Sequence, residues 1–249
     1  MGRLFLLIYT FKFRKLTIYL TFNPFIRLNK NYFLLEKTKN QPVLDKSDKE
    51  IIIRIVAKAF SESHRLLAIM KKGKKEKRLR IMANYAYHLV KKFDGIYLSE
   101  DKSTVLFYYR KKQYRQSFSD YLRYFRMFLL CIRPEKAFST MKRENYIKSL
   151  RPTIPDYIYV WVLGSDPEKQ GLKGLADIRD HLFEVSEKQD LPILIETTVE
   201  KVLKLYHYVG FEIYREIFDD TIDMPVWFLK RGDIINGKAN EKEKEKPIA

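Results

Sequence analysis

One loop in this sequence has residues that suit phosphate binding. It extends from Gly164 to Gly174, reads Gly-Ser-Asp-Pro-Glu-Lys-Gln-Gly-Leu-Lys-Gly, and follows an apolar and aromatic run at 157–163. A helix is predicted after the loop, and the free N–H groups and positive dipole end of a helix N-terminus bind phosphate. Neither the spacing Gly-x-x-x-x-Gly-Lys-Ser/Thr nor the spacing Gly-x-Gly-x-x-Gly occurs in the sequence. Taken alone, the loop is better explained as an ordinary connection between a strand and a helix.

A second block of residues extends this pattern. The segment 192–197, Pro-Ile-Leu-Ile-Glu-Thr, predicts a strand, and a short helical segment that ends before Gly210 follows it. The two blocks together resemble the GNAT superfamily of acyl-CoA-dependent N-acetyltransferases over about 60 residues. The family pattern is a strand, an Asp-Pro-x-x-Gln/Arg-Gly-x-Gly-x-Gly/Ala loop, a helix, a strand and a short helix that ends in Tyr-x-x-x-Gly-Phe. The residues that match it are Asp166-Pro167, Gln170-Gly171 and Tyr206-x-x-x-Gly210-Phe211.

The resemblance implies a fold and a cosubstrate. The order of helices and strands along the chain predicts a mixed α/β sheet with helices on its faces. The family adds that this sheet is mostly antiparallel and splayed, with helices on both faces. Acetyl-CoA would lie in the V-shaped opening between the strands at 157–163 and 192–196.

The resemblance also implies the residues that hold acetyl-CoA. Backbone groups of Leu163, Gly164 and Ser165 would pair with the pantetheine arm and polarise the thioester carbonyl. The loop 170–175 would hold the pyrophosphate through its N–H groups. The candidates there are Gln170, Gly171, Lys173 and Gly174.

The loop departs from the family pattern after its Gln-Gly pair, and two alignments remain open. Without a gap, the positions that the family fills with small residues hold Lys173 and Leu175; with a one-residue insertion they hold Gly174 and Ala176. A side chain where the backbone must approach pyrophosphate would block it, although a lysine would pair with phosphate. A protein that keeps the fold without transferring acyl groups is therefore one alternative.

The catalytic candidates are Tyr206 and Glu196. The family's tyrosine, matched by Tyr206, protonates the thiolate that leaves when an amine attacks the thioester directly. A phenol with a pKa near 10 is a proton donor at neutral pH; the alternative role is that of a core aromatic. Glu196, at the end of its strand, is the best acidic candidate for a general base, and a solvated or structural carboxylate is its alternative.

Other kinds of chemistry find little support in the sequence. The four histidines are scattered without metal-ligand spacing, so no metal site is expected. Cys131 lies in an apolar segment and is predicted to belong to the core.

The acceptor of the acetyl group would be a primary amine of a small molecule or peptide.

The charge distribution favours an anionic partner. The chain of 249 residues has a net charge of +17, and residues 1–156 hold 35 Lys or Arg against 13 acids. Basic and aromatic residues interleave at 108–126, so a nucleic-acid-binding protein is a second alternative. A biased composition that only raises solubility explains the excess equally well.

The sequence divides into three parts. Residues 1–40 form an apolar and basic extension that fits two strands, an amphipathic membrane-surface element, or a stretch outside any fold. Residues 41–231 are the predicted acetyltransferase domain, at whose start Ser47 and Glu50 have capping-box spacing. The charged tail 232–249 is predicted to be disordered or a frayed helix. The longest stretch without a charged residue has eleven residues, which is too few to span a membrane as a helix. A cytoplasmic location is expected.

Overall fold

The computed structural model describes residues 44–61, 63–166, 168–169, 172–220 and 223–234. The extension 1–40 and most of the predicted tail lie outside these ranges. The described helices are α1 (Lys46–Ser61), α2 (His64–Ile69), α3 (Lys75–Lys91), α4 (Phe118–Cys131), α5 (Pro134–Ser149), α6 (Leu172–Gln189) and α7 (Glu200–Tyr208). The described strands are β1 (Ile96–Leu98), β2 (Thr104–Arg110), β3 (Ile158–Ser165), β4 (Ile193–Thr197), β5 (Glu212–Asp219) and β6 (Met224–Arg231).

The strands form one sheet in the order β1-β2-β3-β4-β6-β5. Every neighbouring pair is antiparallel except β3 and β4, which run parallel. The parallel pair is connected through α6, as a parallel connection requires. The expected fold class, a mixed and mostly antiparallel sheet with helices on both faces, is confirmed.

The sheet separates two hydrophobic clusters. One cluster joins α1, α3 and the inner side of α4 to one face, with Tyr159, Leu194 and Phe228 from the strands. The other joins α6 and α7 to the opposite face through Ile158, Ile193 and their neighbours. Successive residues of a strand point to opposite faces, so each central strand contributes to both clusters.

The start of the domain corrects one prediction. The helix α1 is capped by Asp45 rather than Ser47: the Asp48 N–H donates to Asp45 Oδ1 at 2.7 Å, and the Asp45 N–H donates to Asp48 Oδ2 at 3.1 Å. This reciprocal pair is a capping box that begins two residues earlier than the predicted one. Glu50, the predicted partner of Ser47, pairs instead with Arg80 at 2.7 Å.

Two helices are inserted between neighbouring strands of the sheet. The chain leaves β2, forms α4 and α5, and returns to β3, which pairs with β2. Pro134 is the first residue of α5, where a missing N–H costs nothing and the fixed φ suits a helix start.

Candidate acetyl-transfer site

The pairing between β3 and β4 is short. It comprises Ile158 with Ile193 and Tyr159 with Leu194. Beyond these pairs, β3 continues to Ser165 along β2, while β4 continues along β6. The two strands therefore separate toward their carboxyl ends, and they leave an opening in the middle of the sheet.

The end of β3 lines this opening. Leu163, Gly164 and Ser165, the predicted pantetheine-binding residues, are paired with β2 on their other side. Gly164 is pressed against α1, since a Cβ at this position would lie 3.1 Å from the Ala59 Cβ. A glycine here brings the helix close to the strand, which fixes the edge of the opening.

The loop after β3 is anchored to α1 through Asp166. Its buried carboxylate accepts hydrogen bonds from Lys58 Nζ at 3.0 Å and from the Glu168 N–H at 3.2 Å, and Arg54 lies 3.5 Å away. Burial opposes ionisation of this carboxyl group, but the bonds from Lys58 and Glu168 outweigh it and lower its pKa. The Asp166 N–H also donates to the Ser103 carbonyl at 2.7 Å.

The helix α6 begins at Leu172, so its first turn contains Lys173 and Gly174. Lys173 is exposed, whereas Gly174 is buried against the turn between β1 and β2. A Cβ on Gly174 would lie 2.3 Å from Ser103 Oγ and 2.6 Å from Thr104 Oγ1, so a glycine is required for this contact. Gln170 and Gly171 lie outside the described residues.

Tyr206 lies on the inner side of α7. Its ring is buried with that of Phe211, at a centroid distance of 5.6 Å. Burial raises the pKa of the Tyr206 phenol, so the hydroxyl stays protonated at neutral pH. The helix ends at Tyr208, and Gly210 just beyond it has a φ of +88° that suits glycine. The Phe211 N–H donates to the Tyr206 carbonyl at 2.9 Å.

Glu196 is held by Arg151, which precedes β3. Arg151 Nε donates to Glu196 Oε1 at 2.6 Å, and Arg151 Nη2 donates to the Tyr159 hydroxyl at 2.8 Å. The guanidinium also lies 3.9 Å from the centre of the Tyr159 ring. Both charged side chains are buried, with exposed fractions below a tenth. Glu196 shares its sheet face with Leu194, because a single residue lies between them along the strand.

Comparisons with known proteins were made by sequence and by structure. No family model matches the sequence, and the curated proteins contain no match. The structure is similar to the "histone acetyltransferase HPA2 and related acetyltransferase" of Corynebacterium glutamicum, with a TM-score of 0.52, 12% identity, and coverage of 78% of this chain and 96% of that one. It is also similar to the C-terminal condensation domain of Ebony in complex with β-alanyl-dopamine, with a TM-score of 0.55 and 9% identity. That similarity covers 76% of this chain and 95% of the Ebony domain. The chain has the GNAT acetyltransferase fold.

Within this GNAT fold, the two catalytic candidates lie on opposite faces of the sheet. Tyr206 belongs to the cluster under α6 and α7. Glu196 and Arg151 lie on the face that α1, α3 and α4 cover. The opening between β3 and β4 lies between the two faces, so a group that passes through it can be approached from both sides.

The sequence reasoning missed two residues of the site, Arg151 and Lys58. Arg151 sits in a loop before Pro152, with no motif around it, and its partner Glu196 is 45 residues further along. Lys58 pairs with Asp166 across 108 residues. Neither contact has a local signal, because both depend on how helices cross the sheet.

Two features are absent from the part of the chain that the structure describes. No group of three or more His, Cys, Asp and Glu side chains in this part of the chain is arranged to hold a metal ion. No helix in the same residues is long and apolar enough to cross a membrane.

Proposed function

We propose that the protein is an N-acetyltransferase that moves the acetyl group of acetyl-CoA to a primary amine of a small molecule or peptide. The observation that carries the proposal is the opening between β3 and β4, followed directly by the loop and the first turn of α6. An extended thioester arm fits between strands that no longer pair, and a phosphate group fits the N-terminus of the helix after them. In this proposal the catalytic domain is residues 41–231.

The cosubstrate would be held mainly by backbone groups. The N–H and C=O groups of Leu163, Gly164 and Ser165 that face the opening would hydrogen-bond the pantetheine arm. Free N–H groups of the first turn of α6 would bind pyrophosphate, with Lys173 beside them as an exposed cation. Asp166 would keep the loop in place through Lys58, so that these donors are oriented before acetyl-CoA arrives. Gln170 and Gly171 would complete the loop.

The chemistry would use the two faces of the sheet separately. The amine nitrogen attacks the thioester carbonyl carbon, the carbon–sulfur bond breaks, and the electron pair of that bond leaves on sulfur. Tyr206 donates its hydroxyl proton toward the developing thiolate from the α7 face. Glu196 accepts the proton that the amine loses on the opposite face, while Arg151 positions the carboxylate. Donor N–H groups at the end of β3 stabilise the charge on the carbonyl oxygen.

Titration calorimetry with acetyl-CoA tests the proposal. We expect saturable binding by the natural protein, and binding at least about tenfold weaker for Lys173→Glu, because a carboxylate beside pyrophosphate repels it. Lys188→Glu is the matched control, since this exposed lysine lies near the other end of the same helix. It should leave the affinity unchanged.

The outcomes separate the candidate functions. Binding followed by acetylation in a screen of primary amines supports the proposal. Binding without turnover on any amine indicates the degenerate alternative, a protein that keeps only the fold and the binding site. A failure to bind at millimolar acetyl-CoA contradicts the proposal.

A further inference from the structure

The helix α4 turns an apolar stripe toward solvent. Phe118, Leu122, Phe125 and Leu129 have the spacing of one helix face, and their exposed fractions are 78%, 56%, 59% and 51%. The opposite face, with Met127, packs into the core. An exposed row of large apolar side chains on a soluble surface marks an interaction site.

Basic side chains border this stripe along its side and at both ends. Arg115 lies just before the helix, and Arg126 lies beside the stripe; both are exposed. At the other end, Lys71 Nζ donates to the Leu129 carbonyl at 2.7 Å, and Arg78 Nε donates to the Leu130 carbonyl at 3.1 Å. These two bonds bring the basic run 71–80 to the C-terminal end of α4. The run also contains the exposed lysines Lys72, Lys74, Lys75 and Lys77.

The charge of the border selects among possible occupants. Residues 111–133 contain six Lys or Arg and one acid, Asp120, whose side chain is buried and paired with Lys92. A second copy of the chain would present the same basic border and be repelled. The extension 1–40 contains eight Lys or Arg and one acid, so the same argument applies to it. The occupant that fits has an anionic surface, which would meet the basic border, and an apolar layer beneath it, which would meet the stripe.

We propose that α4 docks the protein on an anionic lipid surface. Phe118, Leu122, Phe125 and Leu129 would enter the boundary between headgroups and acyl chains, while the bordering Arg and Lys side chains contact lipid phosphates. An amphipathic helix that lies in the plane of the membrane binds in this way, through apolar area together with attraction to anionic lipids. The inference is independent of the acetyltransferase proposal, because it uses no residue of that site.

Vesicle flotation with the full chain tests the proposal. The probes are vesicles of phosphatidylcholine alone and vesicles that contain about a third phosphatidylglycerol, at low and high salt. The test variant is Phe118→Ser with Phe125→Ser, and its matched control is Tyr208→Ser with Phe218→Ser, which changes two exposed aromatic residues elsewhere on the surface. Thermal unfolding of both variants checks that each is folded.

We expect binding to the anionic vesicles, weakened at least about tenfold by the α4 variant and unchanged in the control, in line with the apolar area removed. High salt should weaken the binding as well. Equal binding of the natural protein and the α4 variant to anionic vesicles would overturn the proposal. Equal binding of the natural protein to neutral and anionic vesicles would also overturn it. Absence of vesicle binding would also overturn it and would direct the search to an acidic protein partner. A dimer that the α4 variant converts to a monomer, measured by light scattering, would instead assign the stripe to a second copy.

Discussion

Arg151 and Glu196 form a buried ion pair on the face of the sheet, at the point where β3 and β4 separate. Arg151 Nε lies 2.6 Å from Glu196 Oε1, and the second nitrogen of the guanidinium binds the Tyr159 hydroxyl. Tyr159 is also the last residue of β3 that pairs with β4. One arginine therefore connects the two strands near the point where their hydrogen bonding stops.

Replacement of Arg151 by methionine should destabilise the protein by about 3 to 5 kcal/mol, because it leaves the Glu196 carboxylate buried without its cation. Urea unfolding measures this loss. The control is Arg179→Met, which removes a surface pair with Asp180 and should cost less than about 1 kcal/mol. Similar losses in the two variants would contradict the structural role of the buried pair.

Glu196→Gln tests the proposed base. The amide cannot accept a proton, so kcat should fall by about 100-fold or more, while the affinity for acetyl-CoA stays the same. Glu212→Gln changes an exposed glutamate on β5 and should leave kcat unchanged. A normal kcat in Glu196→Gln would show that this carboxylate only stabilises the fold.

Tyr206→Phe tests the proposed acid. The ring remains, so the packing with Phe211 is kept, but the proton donor is lost and kcat should fall by about 100-fold. Tyr208, two residues further on the same helix, is exposed, and Tyr208→Phe is the matched control. If amines with good nucleophilicity are acetylated equally fast by Tyr206→Phe and the control, Tyr206 is a core aromatic and not the acid.

His181 gives the protein a specific acid sensitivity. Its ring stacks on Tyr97 at 3.8 Å, its Nε2 lies 3.1 Å from the Tyr108 hydroxyl, and burial lowers its pKa from 6.5 to about 4. Between these pH values the unfolded chain binds more protons than the folded protein. The free energy of unfolding should therefore rise by about 3 kcal/mol at most as the pH increases from about 4 to 6.5. Above pH 6.5 it should level off.

The measurement is the free energy of unfolding in urea at several pH values from 4.5 to 7.5. In His181→Gln, the free energy of unfolding should change less with pH in this range, even if the variant is less stable overall. His207→Gln, which changes an exposed histidine of α7, should keep the dependence of the natural protein. An unchanged slope in His181→Gln would show that other groups cause the acid sensitivity.

Several elements near the site could be predicted because their signals are local. The apolar run at 157–163 predicted a buried strand, and β3 covers Ile158–Ser165. Gly210 predicted the end of α7, which the structure confirms with a positive φ. Helix α6 begins at Leu172, three residues before the predicted start, and Gly174 packs against Ser103 within its first turn.

The remaining features depend on contacts that sequence patterns do not show. The usual rule sends the apolar side of a helix to the core, yet Phe118 and Phe125 of α4 are exposed, while Asp120 is buried and forms an ion pair with Lys92. The partner of Glu196 could not be predicted, because it depends on where the chain returns to the sheet after α5. Long-range packing determines both.

The short pairing between β3 and β4 also bears on how the protein folds. Strands β1 to β3 lie within residues 96–165, and β4 to β6 lie within residues 193–231, so each half of the sheet forms from its own continuous segment of chain. Two residue pairs join the halves across α6. Contacts between neighbours in sequence form fastest, so the hairpins β1–β2 and β5–β6 can form early, and the longer-range pairings of β3 and β4 that create the opening follow in later steps.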